Sequence, residues 1–305
     1  MTKQPAAEVF NRPNDRIRLH LNGPSRPFDP RSHAIRGDLA DVANSDRYFA
    51  PHYAVAAPYV CVVPSAIVRG KPDASASATT QILHGEAFHV LDVRGGWAWG
   101  YCGHDHYVGY VGVDALLPGV GTAATHRVVA PGALLFSRPD IKSPVLQALP
   151  GGALVHGAPE GDFLAVNDGF LHRRHVVEIA VPASDWVAAA REWLGAPYLW
   201  GGRGDGGLDC SGLVQVALGA CGIAAARDTD QQAATLGDAI APGDALRRGD
   251  FVYFPGHVGI MADRDTLLHA NAHWMRVVEE PLADVVDRLR PSHAEPITAR
   301  RRIAS

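Results

Sequence analysis

Gly204-Asp205-Gly206-Gly207-Leu208-Asp209-Cys210-Ser211-Gly212-Leu213 puts a cysteine at the mouth of a predicted helix. The apolar positions Leu213, Val214, Val216, Ala217, Leu218 and Ala220 then keep helical spacing until Gly222, which marks this helix as buried. Downstream, Gly256-His257-Val258-Gly259 and Leu268-His269-Ala270 fall on strand-like runs. A thiol followed by two imidazoles is the order that nucleophilic sulfur chemistry needs, because the thiolate is the working species and something must both create and steer it.

Around these residues the texture is that of an α+β unit. Asp250-Phe251-Val252-Tyr253-Phe254, His257 to Met261, Thr266 to Ala270 and Met275 to Val278 read as strands of an antiparallel sheet packed on the cysteine helix. Ser184-Asp185-Trp186-Val187 opens a helix that runs through Leu194, with Ser184 or Asp185 as its cap and Gly195 as its stop. A last helix is expected from Leu282 to Leu289, followed by a basic tail expected to be solvated. Upstream, short apolar runs broken by turns read as a small barrel: Val60 to Val63, Ala66 to Arg69, Ala87 to Leu91, Trp97 to Tyr101 and Tyr107 to Val111. Val128-Val129-Ala130, Ala133 to Leu135, Ala153 to His156 and Phe163 to Val166 echo that set at a near-constant offset, which argues for a duplicated module. The expected division is an extended arm over residues 1–54 with one short helix at Gly37 to Asn44, barrels over 55–122 and 123–182, and the cysteine-bearing domain over 183–305.

Composition narrows the function classes. A chain of 305 residues with 47% hydrophobic content can build two or three compact cores. The formal charge of -4, without a basic cluster interleaved with aromatics, speaks against a nucleic-acid partner. No apolar run approaches the roughly 20 residues that cross a bilayer, and no signal-peptide or lipidation pattern opens the chain, so no membrane partner and a cytoplasmic setting are expected. Cys61, Cys102, Cys210 and Cys221 have irregular spacing and no Cys-x-x-Cys, which suits free thiols.

The bland readings are a small core residue for Cys210 and two structural histidines among the 15. Against them stand the glycines before Cys210, read here as letting a substrate reach the thiol. The helix N-terminus and a protonated His257 would favour a thiolate, giving a resting ion pair. His269 would orient His257 from the neighbouring strand, and the amide of Cys210 would serve a developing oxyanion. The same three side chains could instead hold zinc, although a fourth ligand in a recognisable metal motif is missing.

The run Leu194-Gly195-Ala196-Pro197-Tyr198-Leu199-Trp200-Gly201-Gly202 through Asp209-Cys210-Ser211-Gly212-Leu213, with Arg247-Arg248-Gly249-Asp250-Phe251-Val252 and His257-Val258-Gly259-Ile260, resembles the NlpC-type family of bacterial cell-wall cysteine peptidases over about residues 184 to 290. The resemblance implies a papain-like core. The barrels resemble the bacterial SH3-like domains of a subgroup, the γ-D-glutamyl-L-diamino acid endopeptidases, which trim murein peptides bearing a free N-terminal L-Ala. It implies Cys210 as nucleophile, His257 as base and His269 as its orienting partner. It also implies substrate contacts at Tyr198, Asp209, Ser211, Asp228 and Thr229, with Thr229 standing where the subgroup usually has Ser. Glu86 and Tyr107 resemble positions by which the first barrel closes one end of the groove, Glu86 pairing with the free ammonium. His106 stands where Gly is commoner.

The expected partner is a murein tripeptide or tetrapeptide, with no metal and no organic cofactor. Two other functions remain open at this level: a catalytically silent module that binds wall peptides, and acyl transfer by the same thiol to an amine or lipid acceptor.

Overall fold

The structure is a computed structural model that describes residues 28–129, 131–204 and 206–304. Half of the arm, residues 1–27, therefore lies outside the described residues, as do Ala130 and Asp205 from the stretches quoted above.

The cysteine-bearing part is a six-stranded antiparallel sheet in the order Asp238–Ala239, Ala299–Arg302, Phe251–Phe254, His257–Met261, Thr266–Asn271, Arg276–Pro281. Four helices accompany it: α1 (Trp186–Arg191), α2 (Cys210–Ala220), α3 (Thr229–Thr235) and α4 (Leu282–Leu289). The buried side of α2 supplies Leu213, Val214, Ala217 and Leu218 to a core shared with Phe251, Tyr253, Val258, Ile260 and Leu268 of the sheet. At about 1.5–3 kcal/mol for each large apolar side chain taken fully from water, that face outweighs the ordinary propensities of an 11-residue helix. Asp185 caps α1, accepting from the Val187 and Ala188 amides.

The tail departs from expectation. Ala299–Arg302 is a strand inside the sheet, paired with Phe251–Phe254, and Arg302 forks onto the buried Asp250 at 2.6 and 2.7 Å. Its run of arginines hid a strand whose backbone satisfies a sheet edge and whose last guanidinium neutralises a buried carboxylate.

The two upstream units are all β. The first is a seven-stranded antiparallel sheet from Ala57–Cys61 to Leu116–Pro118, around Cys61, Val68, Ile82, Phe88 and Val111. The second divides into a five-stranded and a three-stranded sheet between His126–Val128 and Val176–Glu178, around Val128, Leu135, Leu149, Leu164 and Leu171. Both close with the same succession of a 3-10 turn, Val113–Ala115 or Arg173–His175, and a three-residue strand. His106 keeps the left-handed backbone, φ 60°, that glycine would adopt there. Its ring stacks on Tyr101 at 5.1 Å, which offsets part of the 1–2 kcal/mol that such a conformation costs at about that scale.

The described part of the arm lies on the first barrel, with the Arg36 guanidinium 4.5 Å from the Trp99 ring and paired to Asp92 at 2.7 Å. The helix expected at Gly37 to Asn44 is instead a short strand, Leu39–Asp41, followed by a 3-10 turn, Val42–Asn44. Pairing of Leu39–Asp41 with His52–Ala54 overrides the local helical pattern.

Candidate active site

Asp209 starts the site. Its side chain accepts from the Gly212 amide at 2.7 Å, capping α2 so that Cys210 stands in the first turn. The glycines before it have a packing reason rather than the access role expected of them. A Cβ on Gly202 would come within 2.5 Å of the Gly207 carbonyl oxygen, Gly207, at φ 145°, faces the Pro197 carbonyl, and after the thiol a Cβ on Gly212 would come within 2.2 Å of the Gly202 carbonyl oxygen. They let the Arg203–Gly204 and Gly207–Leu208 hairpin press against the start of α2.

Cys210 is 6% exposed and lines a cleft of about 260 Å³ with Tyr107, Asp209, Ser211, Asp228 and Thr229. Six of the ten residues expected at the site therefore meet in one cleft. Gly256, the residue before His257, also lines it. Tyr198 stands beside the thiol and Asp209, half-buried, its hydroxyl pushed up to about 12, mainly by burial.

Behind the cleft runs a chain of hydrogen bonds. His257 Nε2 meets His269 Nδ1 at 2.8 Å, and His269 Nε2 meets Glu280 Oε1 at 2.9 Å. The sheet brings these residues together: Ile260 pairs with Leu268, so His257 and His269 sit on diagonal positions of one face, and Glu280 pairs with Leu267, one diagonal step from His269. The chain also sets the protons. A carboxylate only accepts, so His269 Nε2 carries hydrogen and its Nδ1 is a lone pair. That lone pair accepts from His257 Nε2–H, which leaves His257 Nδ1 as the basic nitrogen. Arg288 holds the far end through both Glu280 oxygens, at 2.5 and 3.1 Å. Burial pushes Glu280 up, but bonds from Arg288 and the Trp274 indole keep it below the ordinary carboxylate range.

A resting ion pair is not what this environment favours. Burial, then the charge of Asp209, pushes the Cys210 thiol up to about 12, although the Val258 amide and Arg227 pull the other way. Burial, then the neighbouring His269, pushes His257 down to about 3. His269 is lowered to about 4, mainly by burial. The thiol and both rings are held neutral because a dry cleft penalises each charge more than the helix end and its neighbours favour it.

Glu86 is not in the cleft. It lies buried in a bidentate pair with Arg203, at 2.9 and 3.1 Å, and accepts from the Leu83 amide at 2.9 Å. Its open side faces a separate cavity of about 820 Å³ between the second barrel, α1 and α2. The expected pairing of Glu86 with a substrate ammonium is thus corrected: its charge is already neutralised inside the joint between the first barrel and the peptidase part. The end of the cleft is formed instead by Ala78, Thr79 and Tyr107 of the barrel and by Arg31 of the arm. The Tyr107 hydroxyl donates to Asp228 Oδ2 at 3.0 Å.

Arg227 is a second buried guanidinium at the joint. It forks onto Asp209 at 2.6 and 2.9 Å, donates to Ser211 Oγ at 2.8 Å and reaches Thr80 Oγ1 of the barrel at 2.8 Å. Asp209 and Ser211 are thereby held by the protein's own groups.

Among the described residues, three potential metal ligands converge within 4.8 Å only at Cys102, His104 and Asp105, not at Cys210, His257 and His269. Even there His104 is bonded to Asp105 at 3.1 Å, and the charge of Arg203 acts on Asp105, so the cluster is satisfied without an ion. Sequence reading missed Glu280, Arg288, Arg203, Arg227 and Arg31. Arg227 directly precedes Asp228, so a charge needing a buried partner was its one local signal.

A capped helix whose thiol meets the Val258 amide, next in the chain to His257, with a histidine–histidine–glutamate chain on the antiparallel sheet, has the papain-like design of a thiol hydrolase. Residues 195–287 match the NlpC/P60 family, and residues 68–116 match the bacterial dipeptidyl-peptidase SH3 domain. The chain thus carries an NlpC/P60 cysteine peptidase domain, the domain of cell-wall hydrolases, behind a bacterial SH3 domain. It is 24% identical to dipeptidyl-peptidase 6 of Lysinibacillus sphaericus, over 66% of this chain and 83% of that protein. It is 31% identical to the γ-D-glutamyl-L-lysine dipeptidyl-peptidase of Bacillus subtilis (strain 168), over 37% of this chain and 43% of that one. The match likewise spans less than half the length of the corynebacterial and mycobacterial endopeptidases it resembles. An NlpC/P60 family protein of Bacillus cereus ATCC 10987 has the same fold, with TM-score 0.69 and 21% identity over 81% of this chain and all of that one. Among the described residues, no helix is long and apolar enough to cross a membrane.

Proposed function

We propose that this peptidase hydrolyses the γ-D-glutamyl bond to a diamino acid in murein tri- or tetrapeptides that carry a free N-terminal L-Ala. The observation that carries the reading is the cleft itself: a thiol backed by the His257–His269–Glu280 chain at one side and an acidic end built by Asp228 with Tyr107 at the other. A free α-ammonium suits the acidic end, and a closed end suits a peptide that stops there.

In the proposed reaction the Cys210 proton passes to His257 Nδ1 as sulfur forms a bond to the γ-carbonyl carbon, and the carbonyl electron pair moves onto oxygen. The Cys210 amide, with the nearby Tyr198 hydroxyl, donates to that oxygen. Collapse breaks the C–N bond, the amine leaves with the proton from His257, and water delivered through the same base releases the acyl group. Because the groups rest neutral, proton transfer accompanies attack rather than preceding it. Four free thiols suit a reducing interior, and we place the reaction in the cytoplasmic recycling of wall peptides.

The test is incubation with L-Ala-γ-D-Glu-diamino acid, with and without an N-acetyl group. Release of the diamino acid, faster from the free amine and abolished in Cys210→Ala, is expected. Binding without cleavage would favour the silent module; transfer to an added amine in place of water would favour the acyltransferase.

A further inference from the structure

Arg31 lies outside both matched regions, in the arm, yet it lines the cleft that holds the thiol. Its guanidinium gathers three carboxylates. It donates to Asp228 Oδ2 at 2.9 Å, to Asp230 at 2.7 and 2.9 Å, and to Asp29 at 2.7 to 3.1 Å. Asp228 and Asp230 belong to the peptidase part, and Asp228 Oδ2 is the atom that also receives the Tyr107 hydroxyl. The arm is fastened on both sides: the Val108 amide of the barrel donates to the Arg31 carbonyl at 2.8 Å, and Gln231 donates to Asp29 at 2.9 Å.

We propose that Arg31 is a specificity-determining residue that makes the arm the end wall of the cleft, fixing Asp228 for the substrate ammonium and excluding peptides extended at that end. This rests on the free-amine reading above.

The charges support it. Three carboxylates and one guanidinium leave two formal negative charges at this end, which favours a cation. Without Arg31 the three acids would repel one another, and the arm would lose its only ion pairs to the peptidase part among the described residues. Asp228 would then be positioned by Tyr107 with less support, and the wall would stand open. A planar fork suits this task better than an ammonium, because it meets several carboxylates at fixed angles.

The experiment measures kcat and KM of the full chain on L-Ala-γ-D-Glu-diamino acid and on its N-acetyl form, for the parent, Arg31→Ala and Arg31→Lys. The selectivity ratio of kcat/KM values is expected to fall about 10-fold in Arg31→Ala, mainly through KM, with kcat on the free amine within about threefold. Arg31→Lys is expected to fall between. Asp230→Asn, which weakens the clamp from the helix side, provides a second variant should Arg31→Ala fold poorly, and is expected to lower the ratio by a smaller factor. An unchanged ratio in folded Arg31→Ala, or in Asp230→Asn, overturns the inference alone. A parent enzyme indifferent to acetylation removes the free-amine reading, and the inference with it.

Discussion

The two sides of the cleft are built on opposite electrostatic plans. Behind the thiol, His257, His269 and Glu280 form a buried series with one carboxylate at its far end, and both rings rest uncharged. At the other side Asp228, Asp230, Asp29 and Arg31 are charged and partly open to solvent. In the proposed reaction the difference separates chemistry from recognition. Neutral rings with assigned tautomers can move one proton without rearranging solvent, whereas fixed charges at an open end can select a cation before any bond changes.

Damage to the relay should therefore appear in kcat, and damage to the acidic end in KM. His257→Ala tests the first arm most severely: kcat should fall by ~10³–10⁴-fold with KM little changed, measured by diamino acid release. Glu280→Gln comes next. Its amide can donate to His269 Nε2 and so reverse both tautomers, and kcat should fall on the order of 10²-fold, less than the roughly 10⁴-fold seen when a mis-set carboxylate partner touches the base directly. A rise in KM alone would dissolve the division between the two sides. Tyr107→Phe, which removes one bond to Asp228, should raise KM about 10-fold at nearly constant kcat, as expected for a hydrogen bond to a charged group.

The resting charge state has its own signature. With the thiol at about 12, alkylation of Cys210 by iodoacetamide, followed by peptide mass mapping, should accelerate about tenfold per pH unit between pH 7 and 9; a plateau in that range would restore the ion pair. The charge state also has a thermodynamic signature. Both rings have folded pKa values below the ordinary 6.5, so the unfolded chain takes up their protons first as pH falls. Their contribution is fully present above about pH 6.5 and is lost as pH drops toward 4, by at most about 1.4 kcal/mol per unit for each ring, which urea midpoints would record.

The barrels differ in a related way. The first reaches the cleft through Tyr107 and is joined to the peptidase part by the buried Arg203 and Arg227. The second touches α2 at its C-terminal end, where Arg127 donates to the Gly219 and Ala220 carbonyls. Glu86 shows why the sequence misled here. An acid beside a turn of the first barrel reads as available, and only the approach of Arg203, 117 residues away, shows that it is neutralised.

A family resemblance pointed to Tyr107 and Asp228; the sequence by itself determined the thiol's place at the start of a helix, the two imidazoles on adjacent strands, and the barrels. Those follow from local period, capping and spacing, which neighbouring residues carry. The tertiary structure alone decided that Glu280 ends the relay, that Arg31 comes back to the cleft, that Ala299–Arg302 is a strand, and that burial leaves the Cys210 thiol and the His257 ring neutral. Each depends on strand register, on ion pairs between distant segments, or on desolvation, and these are properties of packing that no local pattern records.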